Sequence, residues 1–326
     1  MTIMRAALAA ALALGLLAAP LVAQAQPATK VYRVGVVLEG GPYHAAVDGL
    51  RDGLKELGFE EGTRYILHIR DVNGDLTAVG EAARNLEREQ VDLIYAIATG
   101  VTVTVQRATT KVPIVFYAGV DPVEVGLVKS LAKPGGRLTG VHSRQADLIG
   151  KRLEILKEVV PKLRRVGAFY NPDSPALRES AAAARDAARR LGIELVERHV
   201  RSVEELRASL RGLKAGEVDA IVVWDAMVVS QSQLIADTAR TKKLPTIFFE
   251  RTSVAVGGLA SYGTSYYGVG RLAAKYVYRV LSGTSPAELP VERSDRFELV
   301  INLGTARALG LTIPPSLLGR ADQVIE

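Results

Sequence analysis

The residues with the chemistry to hold a small molecule gather directly after short apolar runs. After residues 31–37 comes Leu38-Glu39-Gly40-Gly41-Pro42-Tyr43, and after 91–97 comes Ala98-Thr99-Gly100-Val101-Thr102. The run at 113–116 leads into Tyr117-Ala118-Gly119-Val120-Asp121-Pro122. Later runs lead into Tyr170-Asn171-Pro172-Asp173, Trp224-Asp225-Ala226, Phe249-Glu250-Arg251 and Ser261-Tyr262-Gly263-Thr264. The chain holds 1 Trp, 11 Tyr and 6 Phe, and the single Trp is at one of these ends. Tyr43, Tyr117, Tyr170, Trp224, Phe249 and Tyr262 together suit a flat or apolar ligand body.

Thr99-Gly100-Val101 opens a helical pattern straight after a strand pattern. A hydroxyl, a glycine and the free N–H groups of a first helical turn match a carboxylate, although Thr99 also fits a plain N-cap. Asp225 and Glu250 each follow an aromatic and are the candidates for pairing with an ammonium group. Glu39 and Asn171 are further polar candidates at strand ends. Asp121 before Pro122 reads first as an N-cap ahead of a first-turn proline, and second as a ligand contact.

Catalytic and cofactor signatures are thin. The 4 His residues lie in no metal-ligand spacing, and there is no Cys, which removes thiol catalysis and thiolate metal sites. Neither a nucleophile elbow nor a phosphate loop of the Walker type occurs. Gly268-Val269-Gly270-Arg271-Leu272-Ala273 imitates a dinucleotide fingerprint, but it falls late and inside a helical pattern. We expect no enzyme activity, no metal and no cofactor.

The elements that would carry these ends alternate. Strand patterns at 31–37, 65–72, 91–98, 113–118 and 138–142 are separated by helical patterns at 44–58, 76–89, 100–110 and 122–131. The same alternation resumes with a helix at 148–160 and strands at 165–170, 193–200, 219–224 and 245–249, with helices between. This is the signature of βαβ units and parallel sheets. The landmarks also repeat in order at nearly one offset. Val34-Gly35 returns as Val166-Gly167, Leu57-Gly58 as Leu191-Gly192, Val91-Asp92 as Val218-Asp219, and Lys111-Val112-Pro113 as Lys243-Leu244-Pro245.

The expected fold is therefore α/β, with two Rossmann-like lobes, a cleft between them and three hinge crossings. One lobe takes residues 31–143 and 257–289, the other 144–256 and 290–326. Arg5, the apolar run 6–19 and Ala23-Gln24-Ala25 predict a secretory signal peptide over 1–25, too short to span a membrane. The net charge of +6 is spread among acids rather than interleaved with aromatics, so no nucleic-acid partner is expected.

The segments 112–141, 147–175, 257–283 and 297–326 resemble the substrate-binding proteins of ABC transporters, in the family that includes tryptophan- and tyrosine-type uptake binders. Asp121-Pro122 with Gly126-Leu127-Val128, Pro134-Gly135-Gly136 and the closing Ile313-Pro314-Pro315-Ser316-Leu317-Leu318 carry the likeness. The resemblance implies a type I periplasmic-binding fold, a small-molecule ligand and a membrane permease with its ATPase as partner. It places a hydroxyl-and-glycine turn at Thr99-Gly100, where Gly100 stands in place of the family's usual proline. A soluble periplasmic monomer is expected. The competing readings are a sensor subunit handing its ligand-bound state to a membrane receptor, and a secreted enzyme.

Overall fold

The structure, a computed structural model, describes residues 30–326, so the predicted signal peptide lies outside the described residues. The strands are β1 (Tyr32–Leu38), β2 (Tyr65–Asp71), β3 (Leu93–Ile97), β4 (Ile114–Ala118), β5 (Leu138–His142), β6 (Arg165–Tyr170) and β7 (Glu194–His199). They continue with β8 (Ala220–Val222), β9 (Thr246–Phe248), β10 (Ala260–Thr264), β11 (Glu292–Arg293), β12 (Phe297–Asn302) and β13 (Gln323–Ile325). One sheet runs β11-β5-β4-β3-β1-β2 and the other β13-β12-β10-β9-β8-β6-β7. Every described pairing is parallel except β10 with β12.

The duplication is now visible as topology. The order 2-1-3-4-5 of the first sheet returns as 7-6-8-9-10 in the second. The repeated Val-Asp landmark makes the same bonds in each lobe. Asp92 accepts the Arg33 N–H at 2.8 Å, and Asp219 accepts the Arg165 N–H at 2.8 Å. Strand β1 is buried on both faces: Val34, Val36 and Leu38 join one apolar cluster, and Val37 joins another. That is why it reads as a continuous valine-rich run.

The helix Tyr266–Leu281 packs on His44–Glu56 of the first lobe. A Cβ built on Gly270 would stand 2.0 Å from the Ala46 carbonyl oxygen, and one on Gly49 2.0 Å from that of Tyr267. Gly270 of the apparent dinucleotide pattern thus serves close helix packing, while a Cβ on Gly268 would meet Arg296 and Ser265 at 3.3 Å instead.

Three expectations change. Residues 122–131 form turns rather than a helix, with Gly126 at φ 72 interrupting the chain and Asp121 Oδ1 accepting the Val123 N–H. Residues 260–264 join the second sheet as β10, so the chain returns to the first lobe at Ser265 and not near 256. Strand β11 pairs with β5, which moves the last crossing beyond Arg293 rather than near 290. Polar β-strand ends without a long apolar run hide these boundaries from a hydropathy pattern. No helix among the described residues is long and apolar enough to cross a membrane.

Candidate functional site

A cavity of about 130 Å³ lies between the lobes, at the carboxyl ends of the strands where ligands of open parallel sheets bind. The first lobe contributes Tyr43, Ala98, Thr99, Tyr117, Gly119 and Val120. The second contributes Leu177, Glu179, Ser180, Trp224, Ala226 and Phe249, and the crossing segments add Gln145, Ala146 and Tyr266. An adjoining cavity of about 240 Å³ shares Phe249 and Tyr266 as a wall and adds Glu250.

The aromatic residues are held by one another. Tyr266 meets Tyr43 edge-on at 4.9 Å and Tyr117 at 5.8 Å, while Trp224 lies against Tyr170 at 5.5 Å. Edge-to-face contacts of this kind fix ring orientation as well as burying area. Burial drives the hydroxyl pKa values of Tyr43, Tyr117 and Tyr266 upward, so all three remain neutral donors. Trp224 is 6% exposed, and its indole N–H has no partner among the described residues.

The carboxylate candidate is built by strain. Ala98, between β3 and the helix Thr99–Ala108, sits at φ 102 and ψ 152, a region that a residue with a Cβ rarely adopts. This backbone directs the Thr99 side chain across to β4, where Oγ1 accepts the Gly119 N–H at 3.0 Å. The first N–H groups of the helix have no intrahelical acceptor and lie at its positive end. A Cβ built on Gly119 would stand 3.5 Å from Gln145 Cγ, 3.9 Å from Thr99 Oγ1 and 4.0 Å from the Tyr117 hydroxyl. Those three side chains converge on one spot.

The Tyr117 hydroxyl also anchors a polar chain through the crossings. It shares a 2.8 Å hydrogen bond with Ser143, which accepts from Thr264 at 3.3 Å, and Gln145 Nε2 donates to Thr264 at 3.0 Å. Behind them Arg152 donates through Nε to the Tyr262 carbonyl and through Nη2 to Gln145 Oε1.

Of the sequence candidates, Tyr43, Thr99, Tyr117, Trp224 and Phe249 come together at the cavity. Gly100 and Glu39 flank it: Glu39 Oε1 lies 3.8 Å from a Cβ built on Gly100, and burial raises the Glu39 pKa. Val101 is core. Tyr170 backs Trp224, and its hydroxyl bonds Glu197. Tyr262 does not line the cavity: its ring lies against Phe297 and its carbonyl accepts from Arg152.

The two carboxylates expected to meet an ammonium group do other work. Asp225 accepts N–H groups of Asn171 and Met227 at 2.8 and 2.7 Å, capping a short helix. Glu250 accepts the N–H groups of Thr252 and Ser253 and both hydroxyls. Asn171 and Asp121 are likewise spent on local turns. Sequence reasoning misses Gln145, Glu179, Ser180 and Tyr266. Tyr266 stands two residues past the strand end at Thr264 and opens the helix Tyr266–Leu281, so the strand-end rule reaches it once that helix start is known.

The comparisons agree with this geometry. The chain is 31% identical over 273 residues to a tyrosine-binding protein of Clostridioides difficile (strain R20291), covering 82% of this chain and 78% of the relative. It superposes with a TM-score of 0.82 and 28% identity on an ABC domain in complex with L-Trp from Streptococcus pneumonia, covering 91% of this chain and 100% of that one. A substrate-binding protein with adhesive properties from Clostridium difficile, in its ligand-free, open structure, gives 0.70 at 28% identity, covering 90% and 99%. Residues 32–325 match the model of the family described as ABC transporter substrate binding protein, and with two like sheets and an aromatic-lined cavity the chain belongs to that family.

Proposed function

We propose that this protein captures an aromatic α-amino acid in the inter-lobe cavity and delivers it, outside the cytoplasmic membrane, to the permease of an ABC transporter. The observation that carries the reading is one cavity with two chemistries. Aromatic rings from both lobes surround it, and the strained turn at Ala98-Thr99 aims helix N–H groups toward the same space. Glu39 stands beside Gly100 without a hydrogen-bond partner of its own among the described residues, so a carboxylate and an ammonium group are both accommodated at one lobe. The relatives named for tyrosine and crystallised with L-Trp support the same ligand class.

Ligand closure of the lobes is part of the reading, since a molecule touching both lobes favours the closed state by its differential affinity. The likeness is greater to the L-Trp complex than to the ligand-free, open relative, at the same identity, which supports a closed arrangement here. Titration calorimetry with L-tryptophan and L-tyrosine tests the ligand, and X-ray scattering tests closure. Binding of one of them with compaction is expected. Failure of both to bind, with a different molecule co-purifying in mass spectra, removes the reading.

A further inference from the structure

Arg152 is fully buried in the helix Ile149–Val159, and no carboxylate pairs with it among the described residues. A buried cation without a counter-ion is costly, and it survives where its donors are engaged. Two are: Nε reaches the Tyr262 carbonyl at 2.7 Å, and Nη2 reaches Gln145 Oε1 at 3.0 Å, while Nη1 has no partner.

A guanidinium only donates, so the amide atom it meets must be the oxygen. Gln145 is thereby locked in one of its two flip states. Its Nε2 gives one hydrogen to Thr264 and turns the other to the cavity wall it shares with the Tyr117 hydroxyl, a neighbour close enough to favour the Tyr117 phenolate. The Gln145 side chain also reaches within 3.5 Å of the spot beside Gly119 where Thr99 and Tyr117 converge.

We propose that Arg152 is a positioning residue that holds the Gln145 amide with its N–H toward the cleft, making the hinge side of the cavity a receptor for a ligand carboxylate. The inference rests on the proposed amino-acid reading for its site, and it extends to any aromatic carboxylate. Because Ser143 and Gln145 belong to one crossing and Thr264 stands at the end of another strand leading to the next, the same bond ties carboxylate recognition to the hinge.

The test uses the mature protein and a panel of L-tryptophan, L-tyrosine, indole-3-acetate and 4-hydroxyphenylacetate, each beside its carboxamide. Wild type should prefer acids over carboxamides. Gln145→Glu replaces the donor by an acceptor while giving Arg152 a carboxylate, so its melting temperature should stay at or above that of wild type. Its affinity for the acids should drop about tenfold, with the carboxamides far less affected, because a hydrogen bond to a charged group is replaced by repulsion. Arg152→Lys keeps the charge but cannot bridge both acceptors, and should narrow the acid-to-carboxamide preference about threefold by freeing the flip. An unchanged preference in Gln145→Glu overturns the inference, as do carboxamides binding wild type as well as the acids. Binding of the arylacetates alone would retain the inference and remove the amino-acid reading. No binding across the panel counts against both.

Discussion

The turns after β3 and β8 occupy the same place in the two lobes and have opposite chemistry. After β3 the backbone is strained at Ala98, and the helix Thr99–Ala108 opens with its N–H groups free of side-chain caps. After β8 the chain relaxes into an ordinary N-cap, and Asp225 consumes the N–H groups of Met227 and Val228 at the start of the short helix Ala226–Val229. A duplicated frame has thus left one helix start without a side-chain cap and plugged the other with its own carboxylate. The second lobe then offers the cleft Trp224, the residue just before the plug. On the proposed reading, the open turn makes the first lobe the side for an anion, while Trp224 is the second lobe's largest apolar wall beside the aromatics Tyr43 and Tyr117 of the first.

The strongest way to break this division is Trp224→Ala. It should weaken binding by about 2–4 kcal/mol if the indole is a hot spot. Trp224 also packs in the second-lobe core against Tyr170, so stability should fall by about 3 kcal/mol as well. Calorimetry beside thermal melts separates the two losses, and Trp224→Phe should recover most of the stability. Normal binding by the folded Ala variant would place the apolar grip elsewhere.

Gly119→Ala attacks the first lobe from the other direction. The new methyl meets its neighbours at 3.5 to 4.0 Å, ordinary contact distances, so the melting temperature should hardly move. Gly119 nevertheless lines the cavity, and overfilling it should cost binding about 1–3 kcal/mol. A variant that binds as wild type would show that no ligand atom comes near Gly119.

The open and plugged turns can also be contrasted directly. Asp225→Ala removes the plug and should lower stability by about 1–2 kcal/mol through its lost cap, with a smaller effect on affinity. Thr99→Val removes the acceptor of the Gly119 N–H at 3.0 Å and should cost about 1–2 kcal/mol, read in both melts and affinity. Reversal of that pattern, with Asp225→Ala losing affinity and Thr99→Val keeping it, would exchange the roles of the two turns.

What was legible in the sequence follows the same division. The repeated Val-Gly and Val-Asp landmarks reveal the duplicated sheets because they report backbone requirements, the Gly35 approach to Leu86 and the Asp92 bond to Arg33. The cavity aromatics were legible as strand ends. Whether Asp225 and Glu250 face a ligand or their own backbone was not, since both choices use an acidic residue after an aromatic. Only the hydrogen-bond geometry decides it. Arg152 and Gln145 were invisible for another reason: a buried arginine looks like any other charge on an amphipathic helix until its neighbours are placed.

The smallest effect concerns Glu39, the carboxylate left without a capping duty. Burial raises its pKa above the ordinary 4.5, so the folded protein binds more protons than the unfolded chain as pH climbs from that value. The stabilising contribution of the protonated form is complete below 4.5 and is lost as pH rises through the raised pKa. Glu39→Gln should therefore flatten the fall of melting temperature across that window and leave the ligand-free protein slightly more stable at neutral pH. A bound ammonium group would favour the charged carboxylate and lower its pKa, so ligand should flatten the wild-type slope too. The Gln variant should lose the affinity difference between an amino acid and its deaminated analogue. Parallel melting curves against pH for wild type and Glu39→Gln, free and ligand-bound, would remove Glu39 from the site and leave the first lobe with the carboxylate alone.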